Sequence, residues 1–497
     1  MSKKTKGIAA SEIKGRIKER SILNHLLRSK RAEFLALYGR RRVGKTFLIK
    51  NFFSNSSCLF FHCTGIQKGT LKDQLQEFGK LVGDIFLNGV TPSFNRNWLD
   101  AFSVLNKSIE RISKSQKIVL FFDEFPWMCT KRSKLLQALE YYWNQYWSHD
   151  NRIKLIVCGS SASWIIDKII NNKGGLYNRV TQTIRLDPFS LAETEEYLIS
   201  LGVRLNRRQI LDLYMILGGI PHYLAHVKPG RSSHQNIDEI CFQKNGPLVE
   251  EFDRLFGSLF KESLAYINLV RIIAKSREGV SQSEISRASK MSRGGRITKK
   301  LKQLEDAGFV LSFLPHMHAE KGLYYKVIDE YTLFYLYWIE EHFKSTRRQD
   351  QSTGYWISKA QSPSWKSWAG LSFEAICHKH VAQIRKALGI DPGSQAVSWR
   401  HKPRSKKGLG GAQIDLLFDR PDGTITIGEV KHSDRPYVID KDYAQAIKRK
   451  IEIYKQQIHT KKQIFFALIA SGGLKPNKYS EELGALQATL EDLFKEI

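Results

Sequence analysis

The residues able to do chemistry in this chain fall into three groups. The first is Gly39-Arg40-Arg41-Arg42-Val43-Gly44-Lys45-Thr46, which fits the spacing GxxxxGK followed by Ser or Thr. An apolar run, Phe34–Tyr38, precedes it and a helical pattern from Lys45 to about Phe53 follows. Glycines at both ends let the backbone N–H groups of Gly39, Arg40, Arg41, Arg42, Val43 and Gly44 curl around phosphate oxygens, and the helix dipole behind them favours an anion. Lys45 has the reach for the β- and γ-phosphates, and the Thr46 hydroxyl suits a magnesium ion. The second group is Asp123-Glu124, delivered by the apolar run Lys117–Phe122. Asp123 is placed to hold magnesium and Glu124 to polarise an attacking water as a general base. Together these two groups predict ATP with Mg2+ as the ligand.

The third group lies near the C-terminus. Ala412–Phe418 reads as a strand carrying Asp415, Pro421-Asp422-Gly423 as a turn, and Thr424–Lys431 as a strand ending Glu429-Val430-Lys431. Residues two apart on a strand share a face, so Glu429 and Lys431 point to one site. Asp415 meets Glu429 across the hairpin, and the pair suits a magnesium ion that activates water, with Lys431 positioning that water. Glu374, on an expected helix Gly370–Leu388, completes the set.

These groups need scaffolds, and 497 residues exceed what one core usually organises. Strands alternate with helices up to about residue 190, which predicts a parallel α/β sheet. Helices dominate from there to about 260. Gln282–Lys290 and Arg296–Ala307, separated by a turn at Met291–Gly295 and followed by strands Val310–Leu314 and Tyr324–Ile328, read as a winged-helix unit with its Arg296–Lys302 face outward. Residues 331–345 form an aromatic-rich helix, Ser345–Gly354 a polar linker, and the last segment is α/β again. The expected division is 12–190, 191–260, 261–345 and 366–497.

Lys+Arg 78 against Asp+Glu 49 gives a net charge of +29, which favours a polyanionic partner, nucleic acid first and double-stranded DNA within it. The cations cluster at Arg40–Arg42, at Arg293, Arg296, Lys299, Lys300 and Lys302, at Arg400, Lys402, Arg404, Lys406 and Lys407, and again at Lys448–Lys450. The six cysteines show no CxxC spacing, so neither a zinc site nor a disulfide framework is expected. No apolar stretch has the length of a membrane helix, and the charged N-terminus leads into no apolar segment, so a cytoplasmic protein is expected.

Gly15-Arg16 with Glu19, the GRRRVGKT loop, Asp123–Trp127 and Cys158-Gly159-Ser160-Ser161 resemble the archaeal-type ATPase family related to AAA+ and STAND P-loop proteins, over roughly residues 12–230. The resemblance implies that Ser160 or Ser161 is a polar sensor at the γ-phosphate, and that Arg179 stands where such families place an arginine finger. Whether that arginine acts within its own subunit or across a homo-oligomer is open. Gly218-Gly219-Ile220-Pro221 resembles the family's turn in the helical lid. The C-terminal Asp, hairpin and Glu-x-Lys resemble the PD-(D/E)xK nuclease fold, although Gln413-Ile414-Asp415 lacks the preceding proline. Two functions follow: an ATPase that acts on DNA and carries a metal-dependent nuclease-like domain, or an ATP-dependent switch or scaffold whose nuclease-like domain is an inactive binding module.

Overall fold

The computed structural model describes residues 13–94, 97–291, 294–314, 322–345, 354–401 and 410–497. They form two compact units, the first ending at Pro188 and also taking in Lys302–Gly308, the second holding Phe189–Leu301 and Phe309–Ile497.

In the first unit, β1 (Glu33–Tyr38), β2 (Cys58–Thr64), β3 (Lys117–Asp123), β4 (Ile153–Gly159) and β5 (Gln182–Arg185) make one sheet in the order β2-β3-β4-β1-β5. Every neighbouring pair is parallel. Strands β1, β3 and β4 are apolar almost throughout and buried, as strands covered on both faces must be. The aromatic residues Phe61, Phe78, Trp98, Phe102 and Phe122 pack between β2, β3 and the helices Leu71–Phe86 and Trp98–Glu110. Strand β5 was not legible as one, because its Gln182-Thr183-Ile184-Arg185 is an edge strand with a single buried residue.

The second unit opens with helices Leu191–Ser200, Arg207–Leu217, Ser233–Cys241 and Glu251–Leu259. The glycine pair after the second helix has a packing reason. Gly218 takes φ 60°, and a Cβ on Gly219 would lie 1.9 Å from the carbonyl oxygen of Phe189. The Phe189 N–H donates to the Gly219 carbonyl at 2.6 Å, so backbone lies directly on backbone.

Helix Ser263–Ala274, β6 (Val280–Ser281), helix Gln282–Ser289, helix Gly295–Asp306, β7 (Val310–Phe313) and β8 (Tyr324–Val327) follow, with a small sheet ordered β6-β8-β7. The expectation that the whole Arg296–Lys302 run faces outward needs correction. Ile297, Lys300, Leu301 and Leu304 share the buried side of the helix, as a 3.6-residue period requires. Lys300 is 6% exposed, donates to Glu262 at 2.8 Å and lies over the Tyr266 ring, and Arg296 turns toward the same carboxylate. Lys299 and Lys302 remain on the outer side, while Arg293 lies outside the described residues.

The aromatic run becomes helices Glu330–Phe334 and Glu340–Ser345 around a π-helical turn, Tyr335–Ile339. Phe334 and Trp338 pack against Trp356, with Trp365 and Trp368 beyond, so these rings are core. The linker expected at Ser345–Gly354 falls mostly outside the described residues.

The single helix expected at Gly370–Leu388 is two, Pro363–Lys379 and Val381–Ala387. The break is at His380, whose buried ring accepts a hydrogen bond from the Leu191 N–H and sits against the Ile376 carbonyl. Strands β9 (Gln395–His401), β10 (Ala412–Asp419), β11 (Thr424–Lys431), β13 (Gln463–Ala470) and β15 (Leu486–Thr489) build the last sheet, ordered β15-β13-β11-β10-β9. The pairs β9–β10 and β10–β11 are antiparallel, whereas β11–β13 and β13–β15 are parallel. A separate pair, β12 (Tyr437–Val438) and β14 (Leu474–Lys475), flanks it. Helix Lys441–Ile458 covers the sheet through Ile447, Ile453 and Tyr454.

Candidate functional site

In the first unit the carboxyl ends of β1, β3 and β4 lie side by side, which is where open α/β sheets place their ligands. Between β1 and helix Lys45–Ser54 the loop Gly39–Gly44 turns tightly, with Gly39 at φ 148°, Arg42 at 74° and Gly44 at 92°. Only glycine fits at Gly39, where a Cβ would lie 2.3 Å from the Leu186 carbonyl oxygen. Arg16, itself buried, fastens the loop from outside by donating to the carbonyls of Val43 at 3.2 Å and Asp187 at 2.7 Å. Arg16 of the Gly15-Arg16 pair therefore acts on the loop itself.

Lys45 is 6% exposed, and its ammonium donates to the carbonyls of Gly39 and Arg40, each at 3.0 Å. Burial draws it below the ordinary lysine range, against the opposing charges of Glu124 and Asp123. A cation buried among carbonyls has a standing demand for a stronger anionic partner. Thr46 Oγ1 donates to Asp123 Oδ2 at 2.6 Å, joining the two residues expected at magnesium. Burial alone would raise the Asp123 carboxyl. The nearby His62 ring and the hydrogen bond from Thr46 outweigh it, and the group lies below the usual carboxylate range. The oxygen donors of Thr46 and Asp123 are of the hard kind that magnesium takes.

Glu124 sits in the left-handed region at φ 45°, a strained conformation for a residue with a side chain. Its Oε2 accepts from both the backbone N–H of Ser160 at 3.1 Å and the Ser160 hydroxyl at 2.8 Å. Ser160 is thus tied to the expected base. Arg179 is exposed on the loop after Leu176 and makes no side-chain hydrogen bond or ion pair among the described residues. Arg41 lies with its guanidinium 6.0 Å over the Trp127 ring.

His62 was missed by sequence reasoning. Its ring stacks on Phe121 with centroids 4.7 Å apart, and its Nε2 stands 3.1 Å from Thr64 Oγ1 and 3.8 Å from Asp123 Oδ2. The available signal was strand alternation: His62 and Thr64 share a face of β2, and Thr64 is in register with Asp123.

In the second unit Asp415 lies where the β10 register shifts, between Ile414 and Leu417. Such a bulge re-aims a side chain out of the regular alternation. Asp415 Oδ2 accepts from the Val430 N–H at 2.9 Å, one residue from Glu429. Glu429 is 1% exposed. Burial and Asp415 push its carboxyl up, while Lys450 and Lys431 pull the other way. Glu374 is brought in by helix Pro363–Lys379, and burial followed by Asp415 pushes it up to about 7. Lys431 Nζ stands 3.9 Å from Glu429 and lies over the Tyr443 ring.

Two further groups on Glu429 were not anticipated. Lys450 Nζ donates to both of its oxygens, at 2.7 and 2.8 Å, and the Tyr443 hydroxyl donates at 3.2 Å. Their spacing on one helix face carried the signal, since 443, 447 and 450 recur at helical period. Among the described residues no three His, Cys, Asp or Glu side chains converge closely enough to hold an ion. The carboxylates Asp415, Glu429 and Glu374 have the chemistry for magnesium, and Lys450 would have to leave Glu429 to admit one. Nearby Asp434 pairs with Arg208, and Asp440 caps its helix by accepting from the Tyr443 N–H at 2.8 Å. The basic loop residues Lys402, Arg404, Lys406 and Lys407 lie outside the described residues. No helix among the described residues is long and apolar enough to cross a membrane.

Residues 15–227 match a family described as an ATPase domain predominantly from Archaea. An uncharacterised protein of Methanocaldococcus jannaschii is 23% identical over 427 residues, covering 84% of this chain and 87% of its own length. Among solved structures, a Walker-type ATPase of Pyrococcus abyssi is similar at 18% identity and TM-score 0.45, over 65% of this chain and 96% of that one. The ORC2 protein of Aeropyrum pernix, solved with ADPNP and ADP, is similar at 14% identity and TM-score 0.40, over 67% and 96%. With the glycine loop, the buried lysine and the Thr46–Asp123 contact in one all-parallel sheet, the match over residues 15–227 supports a P-loop ATPase fold for this part of the chain.

Proposed function

We propose that this protein binds ATP with magnesium, hydrolyses it, and acts on double-stranded DNA, with a metal-dependent nuclease-like centre in its C-terminal segment. The observation that carries the ATPase half is the linked set Lys45, Thr46, Asp123, Glu124 and Ser160. Lys45 exchanges its two carbonyl partners for the β- and γ-phosphates, and backbone N–H groups of Gly39–Gly44 take the remaining oxygens. Thr46 and Asp123 hold magnesium, the latter directly or through water. Glu124, anchored by Ser160, takes the proton of the attacking water. Arg179 is the candidate arginine finger, free to reach a γ-phosphate in its own or a neighbouring subunit. Lys45→Ala abolishes ATP binding on this reading, and unchanged affinity would remove the assignment.

The DNA half rests on the charge of +29, on the helix-turn-helix and hairpin of residues 263–327, read as a winged helix, and on the grouping of Glu374, Asp415, Glu429 and Lys431, read as a PD-(D/E)xK centre. The proposed domains are an ATPase core at 12–190, a helical lid at 191–260, the winged helix at 261–345 and the nuclease-like domain at 366–497, in a cytoplasmic protein. The deciding experiment is magnesium-dependent cleavage of plasmid and linear DNA, with and without ATP, by wild type, Asp415→Ala and Lys431→Ala. Cleavage lost in both variants supports the reading.

The hold of Lys450 on both Glu429 oxygens favours a second reading, an ATP-dependent switch whose C-terminal domain binds without cutting. Wild type that hydrolyses ATP and binds DNA but never cleaves it would select that reading.

A further inference from the structure

Three consecutive arginines occupy the glycine loop, although backbone N–H groups alone suffice to cradle phosphates. Arg40 is buried, and its Nη1 donates to the Arg41 carbonyl at 3.2 Å. Arg42 takes the left-handed turn at φ 74°. Arg41 is the one that reaches out of the loop. Its guanidinium lies over the Trp127 ring, 6.0 Å from the centroid. Its Nη1 is shielded from solvent and has no hydrogen-bond partner among the described residues.

Trp127 is a fixed platform. It lies in the one-turn helix Phe125–Met128 that follows Glu124. Its N–H donates to the Glu124 carbonyl at 2.8 Å, and its own carbonyl accepts from Gln74 Nε2 at 3.3 Å. Gln74 is buried and is held in turn by the Ile66 N–H at 3.0 Å and the Ile66 carbonyl at 2.7 Å. Arg41 therefore spans from the loop after β1 to the helix after β3. The γ-phosphate of the proposed reaction belongs in that gap, between the Lys45 ammonium and the Glu124 carboxylate. Both Glu124 and Arg41 are near enough to Lys45 for their charges to act on it.

A separation of about 6 Å is the outer limit of a cation–π contact, and a shielded N–H without an acceptor is costly. A phosphate oxygen answers both deficits, because charge-assisted bonds from the planar guanidinium fork to phosphate are the strong kind. We propose that Arg41 is a catalytic arginine supplied within the chain, resting on Trp127 in the empty site and moving to the γ-phosphate when ATP binds. The inference rests on the ATPase reading and adds to it a side chain that tells ATP from ADP, since ADP offers Arg41 no γ-phosphate and leaves it on the ring. In the reaction, water adds to the γ-phosphorus, its proton passes to Glu124, and the bond to the β-phosphate oxygen breaks. The electron pair of that bond leaves with ADP. Arg41 keeps its proton throughout and stabilises the charge developing on the γ-phosphate oxygens.

The test reads tryptophan emission and turnover on the full chain. In wild type the emission with Mg2+ and the non-hydrolysable analogue AMPPNP differs from that with Mg2+ and ADP, because the guanidinium has left the indole face. That difference is absent from both Arg41→Ala and Trp127→Phe. Arg41→Ala binds ADP within about twofold of wild type, fails to trap ADP with aluminium fluoride, and turns over about a thousandfold more slowly. Arg41→Lys keeps the charge without the fork and recovers no more than about tenfold of that loss. Mixing Arg41→Ala with Lys45→Ala recovers no activity, as an arginine acting in its own subunit requires. If Arg41→Ala folds poorly, Arg41→Lys turnover and the Trp127→Phe emission carry the decision. Arg41→Ala turnover within about threefold of wild type, activity recovered on mixing, equal emission with the two nucleotides in wild type, or a difference that persists in full in Trp127→Phe overturns the inference alone. Wild type that binds neither nucleotide, or binds both and hydrolyses no ATP, overturns the ATPase reading and the inference with it.

Discussion

Substituting Ser160 by Ala perturbs the ATPase site at one atom. The change removes the hydroxyl that donates to Glu124 Oε2 at 2.8 Å and leaves the backbone N–H donor at 3.1 Å. A hydrogen bond to a charged acceptor contributes about 1.5–3 kcal/mol. If Ser160 holds Glu124 in line with the attacking water, losing half of that anchor lowers kcat roughly ten- to a hundredfold, since about 1.4 kcal/mol is a factor of ten. Nucleotide binding does not involve this contact, so KM for ATP stays within about twofold. Glu124→Gln removes the base itself and lowers kcat about 10²–10⁴-fold. Because Ser160 acts through Glu124, the double variant is no slower than Glu124→Gln alone. Ser160→Thr, which restores the hydroxyl, recovers most of the rate. Steady-state phosphate release with the four proteins decides the matter. A faster Ser160→Ala enzyme would mean that the serine parks the glutamate away from its water. Additive losses would mean that Ser160 touches the γ-phosphate independently, as the family resemblance implied.

His62→Ala removes the ring beside Asp123 Oδ2; ATP turnover falls about tenfold and its magnesium requirement rises, while binding of a fluorescent ADP in EDTA is unchanged. A shift in the EDTA measurement would assign His62 to folding instead. Glu374 is pushed up from 4.5 to about 7, so its protonated form is favoured by folding. The stability it contributes is full below its unfolded value and lost as pH rises through about 7. The stability of Glu374→Gln relative to wild type accordingly improves by about 2 kcal/mol between about pH 5 and pH 8 in urea titrations, and a pH-independent difference would refute the buried, coupled site. Lys299→Ala lowers the slope of log binding constant against log salt for duplex DNA by about 0.9 if that lysine meets a phosphate. Lys300→Ala leaves the slope alone and instead lowers stability in urea titrations, because it removes a buried side chain and uncovers the Tyr266 ring face.

The ATPase site was legible because its parts are local. Gly39–Thr46 and Asp123-Glu124 each lie within one strand-to-helix turn, and the parallel sheet brings strand ends together without further instruction. Ser160 was legible as a polar residue at a strand end, but its partner was not, since a hydroxyl gives no sign of which acid it will meet. His62 belongs to a strand whose Cys58-Leu59-Phe60-Phe61-His62-Cys63 reads as buried filling, and only the register of β2 against β3 gives it Asp123 as a neighbour. Lys300 shows the opposite error. In a run of cations it looked like an outward face, yet helical period puts it beside Ile297 and Leu304, and Glu262 from the preceding loop neutralises it. Lys450 was visible only as part of a basic tail.

The balance of charges around Glu374 also bears on whether the C-terminal domain is active or a remnant. Burying ions is costly, and replacing a buried ionic group by apolar side chains of similar volume is often neutral or stabilising. A domain that served only as a scaffold would hold together at least as well with Leu or Met at Glu374, on a helix whose Trp368, Phe373 and Ile376 are already buried. The same holds for Glu429, buried to 1% exposure on a strand otherwise lined by Ile425, Ile427 and Val430. Perturbed acids placed together with cations in one pocket are the usual mark of a site with chemical work. Lys450, which donates to both Glu429 oxygens, supplies the counter-charge that lets this buried carboxylate persist.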